Sequence, residues 1–243
     1  MRILVISDIH ANYEALEAVL ADAGAVDAAW CLGDIVGYGP DPNLCVDTVR
    51  ALPNLTCLLG NHDVAMLGRM PLSAFNGEAR RSLDIQSRVM SADNVDFLRS
   101  LPENAQTRGE ATLAHGSPRD PIWEYMLNTL AARLNFDHFE TPFCFVGHTH
   151  LQGLFQFNEE KNRVTMETPR AGVALHMKPR AIFNPGSVGQ PRDRDPRAAY
   201  AIFDPEARTW EPRRVGYDIP AVQKRIRALG LPEKHALRIG EGW

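Results

Sequence analysis

The chain has 243 residues, of which 44% are hydrophobic and 23% are charged, and its formal net charge is −4. These values are typical of a globular protein that can bury a core, and they exclude a disordered or collagen-like chain. A protein that binds nucleic acid through many phosphate contacts is normally basic, so the charge argues against that class of partner. We expect a single domain over residues 1–243.

The amino-terminal run "MRILVISD" is too short for a signal peptide, and no apolar run is long enough to span a bilayer. The four cysteines show no CxxC pair and no framework spacing, which favours buried free thiols in a reducing compartment. Together these features predict a cytoplasmic protein that does not enter a membrane.

In chain order, the first quarter of the sequence predicts alternating strands and helices. Apolar runs predict strands over 2–7, 28–32 and 55–59, and helical spacing of apolar residues predicts helices over 12–24 and 42–52. This order implies parallel strands with helices covering the sheet.

The rest of the chain predicts further helices and a second sheet. Residues 73–100 have a helical pattern, in which Ser91 is expected to be the N-cap of the segment "ADNVDFLRSL". Short apolar strands lie within 111–118 and 143–150. From residue 151 onward, short alternating segments separated by Gly, Pro and Asn predict an antiparallel or mixed second sheet. An amphipathic helix over 219–232 follows. The fold class is therefore α/β, with two packed sheets and outer helices.

Five predicted strands end in polar side chains of the kinds that bind metals or move protons. In chain order these are Asp8 and His10, then Asp34, then Asn61, His62 and Asp63, then His115, and finally His148 and His150. Because parallel strands share their carboxyl-terminal edge, where α/β sheets bind ligands, we expect these side chains to converge.

The ligand types in these clusters narrow the chemistry. Aspartate, asparagine and histidine without cysteine form an oxygen and nitrogen set, which suits Mn²⁺, Fe, Co²⁺, Ni²⁺ or Zn²⁺. The set is too large for one catalytic ion that keeps an open position. Two ions bridged by a carboxylate, about 3.5–4 Å apart, fit the number of ligands.

The ordered segments "SDIH", "GD", "GNHD", "HGS" and "GHTH" resemble the five signature segments of the calcineurin-like metallophosphoesterase superfamily. The later "NPGSVGQPRDRDPRAAYA" is similar to the small bacterial phosphodiesterase branch of that superfamily. The resemblance implies a four-layer αββα sandwich, in which two mixed β-sheets are flanked by helices.

The resemblance also implies roles for the clustered residues. It assigns Asp8, His10 and His150 to a first ion, Asn61, His115 and His148 to a second, and Asp34 to a bridge between them. His62 would contact the phosphate and protonate the leaving oxygen, and Asp63 would orient that imidazole. Two alternatives stay open: His62 as a structural hydrogen-bonding residue, and Asp63 as a helix cap.

Several other residues are weaker candidates. Arg192 and Arg194 offer guanidinium groups that match phosphate geometry, although surface arginines are equally compatible with their positions. The expected substrate contacts are Asn61, His62 and Arg192. Tyr38 is expected to pack. The segment "NPGSVG" is expected to form a turn that supports the histidine loops.

These features predict a hydrolase for a small soluble phosphodiester, such as a nucleotide or cyclic nucleotide, acting through a metal-bridging hydroxide. Mn²⁺ is the expected ion, with Fe, Zn²⁺, Ni²⁺ and Co²⁺ as alternatives. The segment "GDIVGYGP" lacks the arginine of GDxxxRG, and "GNHD" replaces GNHE, which both count against a protein phosphatase. Phosphomonoesterase activity and a non-catalytic metal-binding scaffold remain alternatives, and the scaffold predicts a missing ligand or a missing His62.

Overall fold

The computed structural model describes residues 1–243 and contains twelve strands and eight α-helices. The strands are β1 (Ile3–Ile6), β2 (Ala28–Cys31), β3 (Thr56–Cys57), β4 (Gln106–Arg108), β5 (Ala111–Leu113), β6 (Phe143–Phe145), β7 (Gln152–Asn158), β8 (Arg163–Glu167), β9 (Leu175–His176), β10 (Ala181–Pro185), β11 (Ala198–Asp204) and β12 (Thr209–Val215). The helices are α1 (Tyr13–Ala23), α2 (Pro42–Arg50), α3 (Asn61–Met66), α4 (Gly77–Ser87), α5 (Ala92–Ser100), α6 (Thr129–Asn135), α7 (Ile219–Ala228) and α8 (Glu233–Glu241). None of these helices has the length and apolar character needed to cross a membrane.

The strands form two mixed sheets of six strands each. The first has the order β3-β2-β1-β11-β12-β9, and the second has the order β4-β5-β6-β10-β7-β8. Strands β1, β2 and β3 pair in parallel, and so do β5, β6 and β10, while β11 runs antiparallel to β1 with Ile3 opposite Phe203. The predicted α/β fold with two mixed sheets and flanking helices is confirmed.

The prediction that the strands after residue 151 make up the second sheet is wrong. Strands β9, β11 and β12 complete the first sheet, whereas β7, β8 and β10 join the second. The reason is that β11 is apolar and buried along almost its whole length. It can therefore occupy the middle of the first sheet beside β1, which is also fully buried.

The region predicted to be helical over 73–100 contains two α-helices, with the second beginning at the predicted N-cap. A single 3₁₀ turn at Leu72–Ala74 precedes α4, and α5 begins only after Ser91. The Ser91 side chain accepts a hydrogen bond from the backbone N–H of Asn94 at 3.3 Å, as predicted for an N-cap. An N-cap needs an extended backbone, so one helix cannot run through this residue. Helix α6 was not predicted, and the helix expected over 219–232 ends at Ala228, before α8.

The main cores lie between the sheets and beneath the helices. The inter-sheet cluster is aromatic, with Trp30, Phe145, Phe183, Phe203 and Trp210 all buried. A second cluster packs α1, α2 and α5 against the outer face of the first sheet. All four cysteines are buried and free, as predicted. The carboxyl-terminal ends of β1, β2, β5 and β6 therefore open onto one shared edge of a rigid sandwich.

Candidate metal centre

The residues that follow the strands at this edge adopt an unusual backbone conformation. Asp8, His10, Asp34, His148 and His150 have φ values of 54°, 49°, 55°, 63° and 61°. Left-handed backbone is uncommon outside glycine, and such residues concentrate at functional sites where the surrounding fold holds them. These turns direct the polar side chains back over the sheet edge, so all five are buried.

The structure brings three of the predicted ligands into one group. The Oδ1 atom of Asp8 lies 3.3 Å from Nε2 of His150 and 3.9 Å from Nε2 of His10. The two Nε2 atoms of His10 and His150 lie 3.1 Å apart. One carboxylate oxygen and two imidazole nitrogens thus converge on a point that a single cation can occupy.

A second group forms beside the first. Nε2 of His115 lies 3.3 Å from Oδ1 of Asn61, 3.2 Å from Nδ1 of His148 and 3.4 Å from Oδ2 of Asp34. The same Oδ2 atom of Asp34 lies 3.6 Å from Nε2 of His10 in the first group. A single carboxylate oxygen therefore lies between the two groups.

The hydrogen bonds of three histidines leave the inward-facing nitrogens free to bind a cation. Each Nδ1 atom is close to a backbone carbonyl: His10 to Val36 (3.0 Å), His115 to Leu32 (2.9 Å) and His150 to Gln190 (2.5 Å). Because a carbonyl only accepts, each Nδ1 must donate, and in a neutral ring Nε2 then carries the lone pair. Two such lone pairs face each other between His10 and His150. A cation between them would relieve this repulsion, so the donor set fits a divalent metal.

The electrostatic surroundings at the edge keep some of the predicted histidine ligands neutral and favour a charge on another. Burial lowers the pKa of His10 and of His150 well below the usual value, and it lowers the pKa of His148 to about 3. Burial opposes the charge of His115 as well, but the neighbouring Asp34 carboxylate raises the pKa of His115 to about 9. The proton on His115 must leave when a cation binds there, so cation affinity should rise with pH.

His62 lies at the site without joining either group through a hydrogen bond of its ring. Its backbone N–H donates to Oδ1 of Asp34 at 2.8 Å, and its ring packs 4.4 Å from Tyr38 and 4.8 Å from His10. The buried Nδ1 atom has no hydrogen-bond partner. Burial lowers the pKa of His62 to about 4, so the imidazole is neutral at pH 7 in the chain alone.

The structure contradicts the expectation that Asp63 orients the His62 ring. The Asp63 carboxylate accepts hydrogen bonds from the backbone N–H groups of Ile35 (3.0 Å), Val36 (3.1 Å) and Gly60 (3.0 Å), and none from His62. All the hydrogen bonds that this carboxylate accepts come from backbone N–H groups. Asp63 caps α3 and fixes the loop after Asp34, which is the alternative left open by the sequence.

The arginine and turn residues take distinct positions. Arg192 is half-buried at the site, where its guanidinium donates to Oε1 of Gln190 at 3.2 Å and to the Tyr38 hydroxyl at 3.4 Å. Arg194 is exposed and has its backbone N–H bonded to Gly242. Only Arg192 therefore lines the pocket over the two ligand groups.

The turn "NPGSVG" supports the ligand loops as expected. Asn184 donates to the carbonyl of Gly147 at 2.8 Å, next to His148. The Ser187 hydroxyl donates to the carbonyl of Asp8 at 2.7 Å. These bonds tie the first and fifth turns of the site to the segment that begins in β10 of the second sheet.

The pocket above the ligands has a volume of about 110 Å³, and part of its lining was not predicted. Phe75, Trp123 and Tyr125 form an aromatic wall on one side of it. Trp123 and Tyr125 lie outside the predicted helices and strands, so periodicity could not reveal them, and Phe75 lies in the region predicted to be helical. The one available signal was the segment "IWEYML", in which two aromatic residues flank an acid soon after His115.

Comparisons with known proteins identify the family. The model of the calcineurin-like phosphoesterase superfamily domain matches residues 1–208. A metallophosphoesterase from Sphaerobacter thermophilus is 48% identical, with a TM-score of 0.91 over 100% of this chain and 99% of that one. An uncharacterized protein of Methanocaldococcus jannaschii is 39% identical over 95% of this chain and 94% of its own length.

A more distant similarity is to symmetrical bis(5′-nucleosyl)-tetraphosphatases. That of Chromohalobacter salexigens is 33% identical over 98 residues, which is 38% of this chain and 35% of the relative. The chain thus matches only about a third of that protein. The family match over residues 1–208 and the near-complete coverage of the closer relatives are decisive, and the chain belongs to the calcineurin-like phosphoesterase superfamily.

Proposed function

We propose that this protein is a phosphodiesterase that uses two divalent cations to hydrolyse a small soluble ester such as a nucleotide or cyclic nucleotide. The observation that carries the proposal is the position of Asp34. Its Oδ2 atom lies 3.6 Å from Nε2 of His10 and 3.4 Å from Nε2 of His115. One buried carboxylate between two ligand groups is the arrangement that a pair of cations requires.

The ligand assignment follows from the two groups. In the proposal, Asp8, His10 and His150 hold the first cation, Asn61, His115 and His148 hold the second, and Asp34 bridges them. The neutral Asn61 contributes a carbonyl oxygen without adding negative charge. Mn²⁺ is the ion we expect to work best, and Fe, Co²⁺, Ni²⁺ and Zn²⁺ suit the same ligand set.

Bound cations would supply the positive charge that neutralises phosphate oxygens and makes water nucleophilic near neutral pH. The chain's own residues do the rest. Arg192 faces the pocket with a guanidinium that can bind a phosphate oxygen. His62 lines the same pocket, where its ring can contact the bound ester. A bound anion raises the pKa of a nearby imidazole, so His62 can then protonate the departing oxygen.

The substrate class rests on charge and on pocket size. The net charge of −4 and the small pocket favour a soluble ester over a nucleic acid or a folded protein. The similarity to proteins named as bis(5′-nucleosyl)-tetraphosphatases supports a substrate that contains a nucleoside phosphate.

Hydrolysis of bis-p-nitrophenyl phosphate and of p-nitrophenyl phosphate, measured side by side, tests the proposal. Metal-stripped protein would receive Mn²⁺, Fe²⁺, Co²⁺, Ni²⁺, Zn²⁺ or Mg²⁺ separately. We expect cation-dependent turnover with the diester preferred. In His62→Ala, turnover should fall by about 10²–10⁴-fold while the cation content stays unchanged. In Asp34→Asn, turnover and cation content should both fall.

The exposed histidine His138 provides a matched control, since His138→Ala removes an imidazole outside the site. Turnover in this variant should equal that of the unmodified protein. A His62→Ala protein with full activity would remove the proton-transfer role. Two bound cations without turnover of either ester would favour the scaffold alternative, although no predicted ligand is missing.

A further inference from the structure

The loop between β5 and α6 places two aromatic rings at the mouth of the pocket. The Tyr125 ring stacks on His148 with a centroid distance of 4.0 Å and an interplanar angle of 24°. Trp123 lies 5.2 Å from Phe75 and 6.3 Å from His148, measured between ring centroids. Tyr125 remains 44% exposed, so one face of its ring covers a proposed ligand while much of the side chain is open to solvent.

This loop is held in place by the side chain of Glu124, which lies between Trp123 and Tyr125 in the sequence. Glu124 accepts hydrogen bonds from the Ser117 hydroxyl at 2.6 Å and from Nδ2 of Asn135 at 2.8 Å, and it pairs with Arg119. The backbone N–H of Gly116 also donates to the carbonyl of Pro121 at 2.7 Å. Because Glu124 is fixed on one side of the backbone, its neighbours Trp123 and Tyr125 are both presented to the pocket.

Tyr38 and Arg192 also line this pocket. Tyr38 is buried there between His10, His62 and His235, with ring distances of 4.5, 4.4 and 4.9 Å. Arg192 lies beside Tyr38 and directs its charge toward the ligand groups. Arg192 lines the same pocket as Trp123 and Tyr125, so a phosphate bound by Arg192 above the ligand groups would carry its organic substituent within reach of these rings.

We propose that Trp123 and Tyr125 form a stacking subsite for a planar nucleobase carried by the substrate's ester group. The proposal rests on the proposed function, because it assumes that the phosphate lies over the ligand groups. Partly exposed aromatic rings beside a cationic phosphate contact are the combination that binds a base and its phosphate together. The subsite would select nucleoside phosphates over phosphate esters that lack a flat ring.

Equilibrium dialysis with adenosine 5′-phosphate and ribose 5-phosphate tests the subsite, because the two probes differ only in the base. The full chain would be loaded with Mn²⁺, and intact bound ligand would be quantified by chromatography. The nucleotide should bind at least about fivefold more tightly than the sugar phosphate, the low end of the range for one stacked base. In Trp123→Ala and Tyr125→Ala this ratio should approach one, with ribose 5-phosphate affinity and Mn²⁺ content unchanged.

Tyr125→Phe should retain the preference, because it keeps the ring and removes only the hydroxyl. Tyr13→Ala, which removes an aromatic ring from the start of α1 outside the pocket, should retain it as well. Equal binding of the two probes by the unmodified protein would overturn the subsite. It would also be overturned if the alanine variants weakened both probes equally, because the rings would then only support His148. If neither probe bound the Mn²⁺-loaded chain, the phosphate site itself would be wrong, and the subsite with it.

Discussion

The space between the sheets and the edge where the strands end are both buried. Apolar aromatic side chains fill the first, and polar or charged side chains fill the second. Between the sheets, Phe145 packs against Trp30, Phe183, Phe203 and Trp210, with ring centroids 5.1–5.6 Å apart. At the edge, aspartates and histidines with left-handed backbone are packed together, and Oδ1 of Asp8 has no hydrogen-bond partner. Burial of apolar rings stabilises the first region. In the second region, the buried polar groups that chemistry requires reduce the stability of the fold.

This contrast teaches that the apolar sandwich must hold the edge in place. Backbone strain and buried polar groups persist only where the surrounding structure determines them. Changes between the sheets should therefore alter stability without altering the ligand set, whereas changes at the edge should alter cation binding or turnover. The predictions below test that separation, beginning with the largest effect.

Removing the largest ring between the sheets should strongly destabilise the protein. Trp210 is fully buried, 5.2 Å from both Phe145 and Phe183. Trp210→Ala should lower the free energy of unfolding by about 3–5 kcal/mol through lost burial and the cavity left behind. Chemical denaturation measures this loss. Cation content per folded chain should be unchanged, and a loss of cation binding in the folded fraction would show that the two regions are not separate.

Bound cations should increase the stability of the protein, because they relieve the repulsion among the predicted ligands at the edge. At a free Mn²⁺ concentration about a hundredfold above the dissociation constant, the unfolding free energy should increase by about 2.7 kcal/mol for one site. Thermal denaturation with and without a chelator gives the shift. Asp8→Asn should reduce the gain, whereas His138→Ala should leave it intact. Equal melting with and without Mn²⁺ would contradict the assignment of the edge as a cation site.

Cation affinity should also depend on pH. The Asp34 carboxylate raises the pKa of His115 to about 9, although burial acts in the other direction. His115 therefore holds a proton at pH 7 that must leave before Nε2 can bind a cation. Affinity at this position should rise about tenfold per pH unit between pH 7 and 8. Calorimetric titration in two buffers of different ionisation enthalpy would count the released protons, and no proton release would contradict the prediction.

One added methyl group at the edge should affect both stability and turnover. Gly37 has φ of +91°, and an added Cβ would lie 2.3 Å from Nδ1 of His62. Gly37→Ala should lower the unfolding free energy by about 1–3 kcal/mol through backbone strain. It should also displace the His62 ring and reduce turnover. Gly68→Ala is a control with the same sign of φ and open space around the added atom. It should destabilise the chain without changing turnover.

The sequence predicted the edge better than it predicted the loops around it. Asp8 and Asp34 follow paired parallel strands of the first sheet, so strand pairing brings them to one edge. His148 follows a strand of the second sheet and reaches them through the packing of the two sheets. Trp123 and Tyr125 were missed because they lie in a loop whose shape depends on Glu124 and on contacts with Asn135, distant in the chain. No local pattern encodes such contacts.

The predictions for Asp63 and for strand β11 were wrong because hydrogen bonding and packing with other parts of the fold decide where both lie. Asp63 was expected to face His62, but the stronger demand comes from backbone N–H groups that would otherwise be buried without acceptors. Strand β11 was assigned to the second sheet because it is one of the short alternating segments after residue 151. Its pairing is decided instead by the need to cover the buried strand β1, a long-range effect that neighbouring residues do not reveal.

The most direct test of the account is the anomalous diffraction of crystals grown with Mn²⁺. The account predicts two peaks about 3.5–4 Å apart, one beside each ligand group, with the Asp34 carboxylate touching both. A single peak, or two peaks that do not share Asp34, would contradict the central claim that one buried carboxylate joins two cation sites.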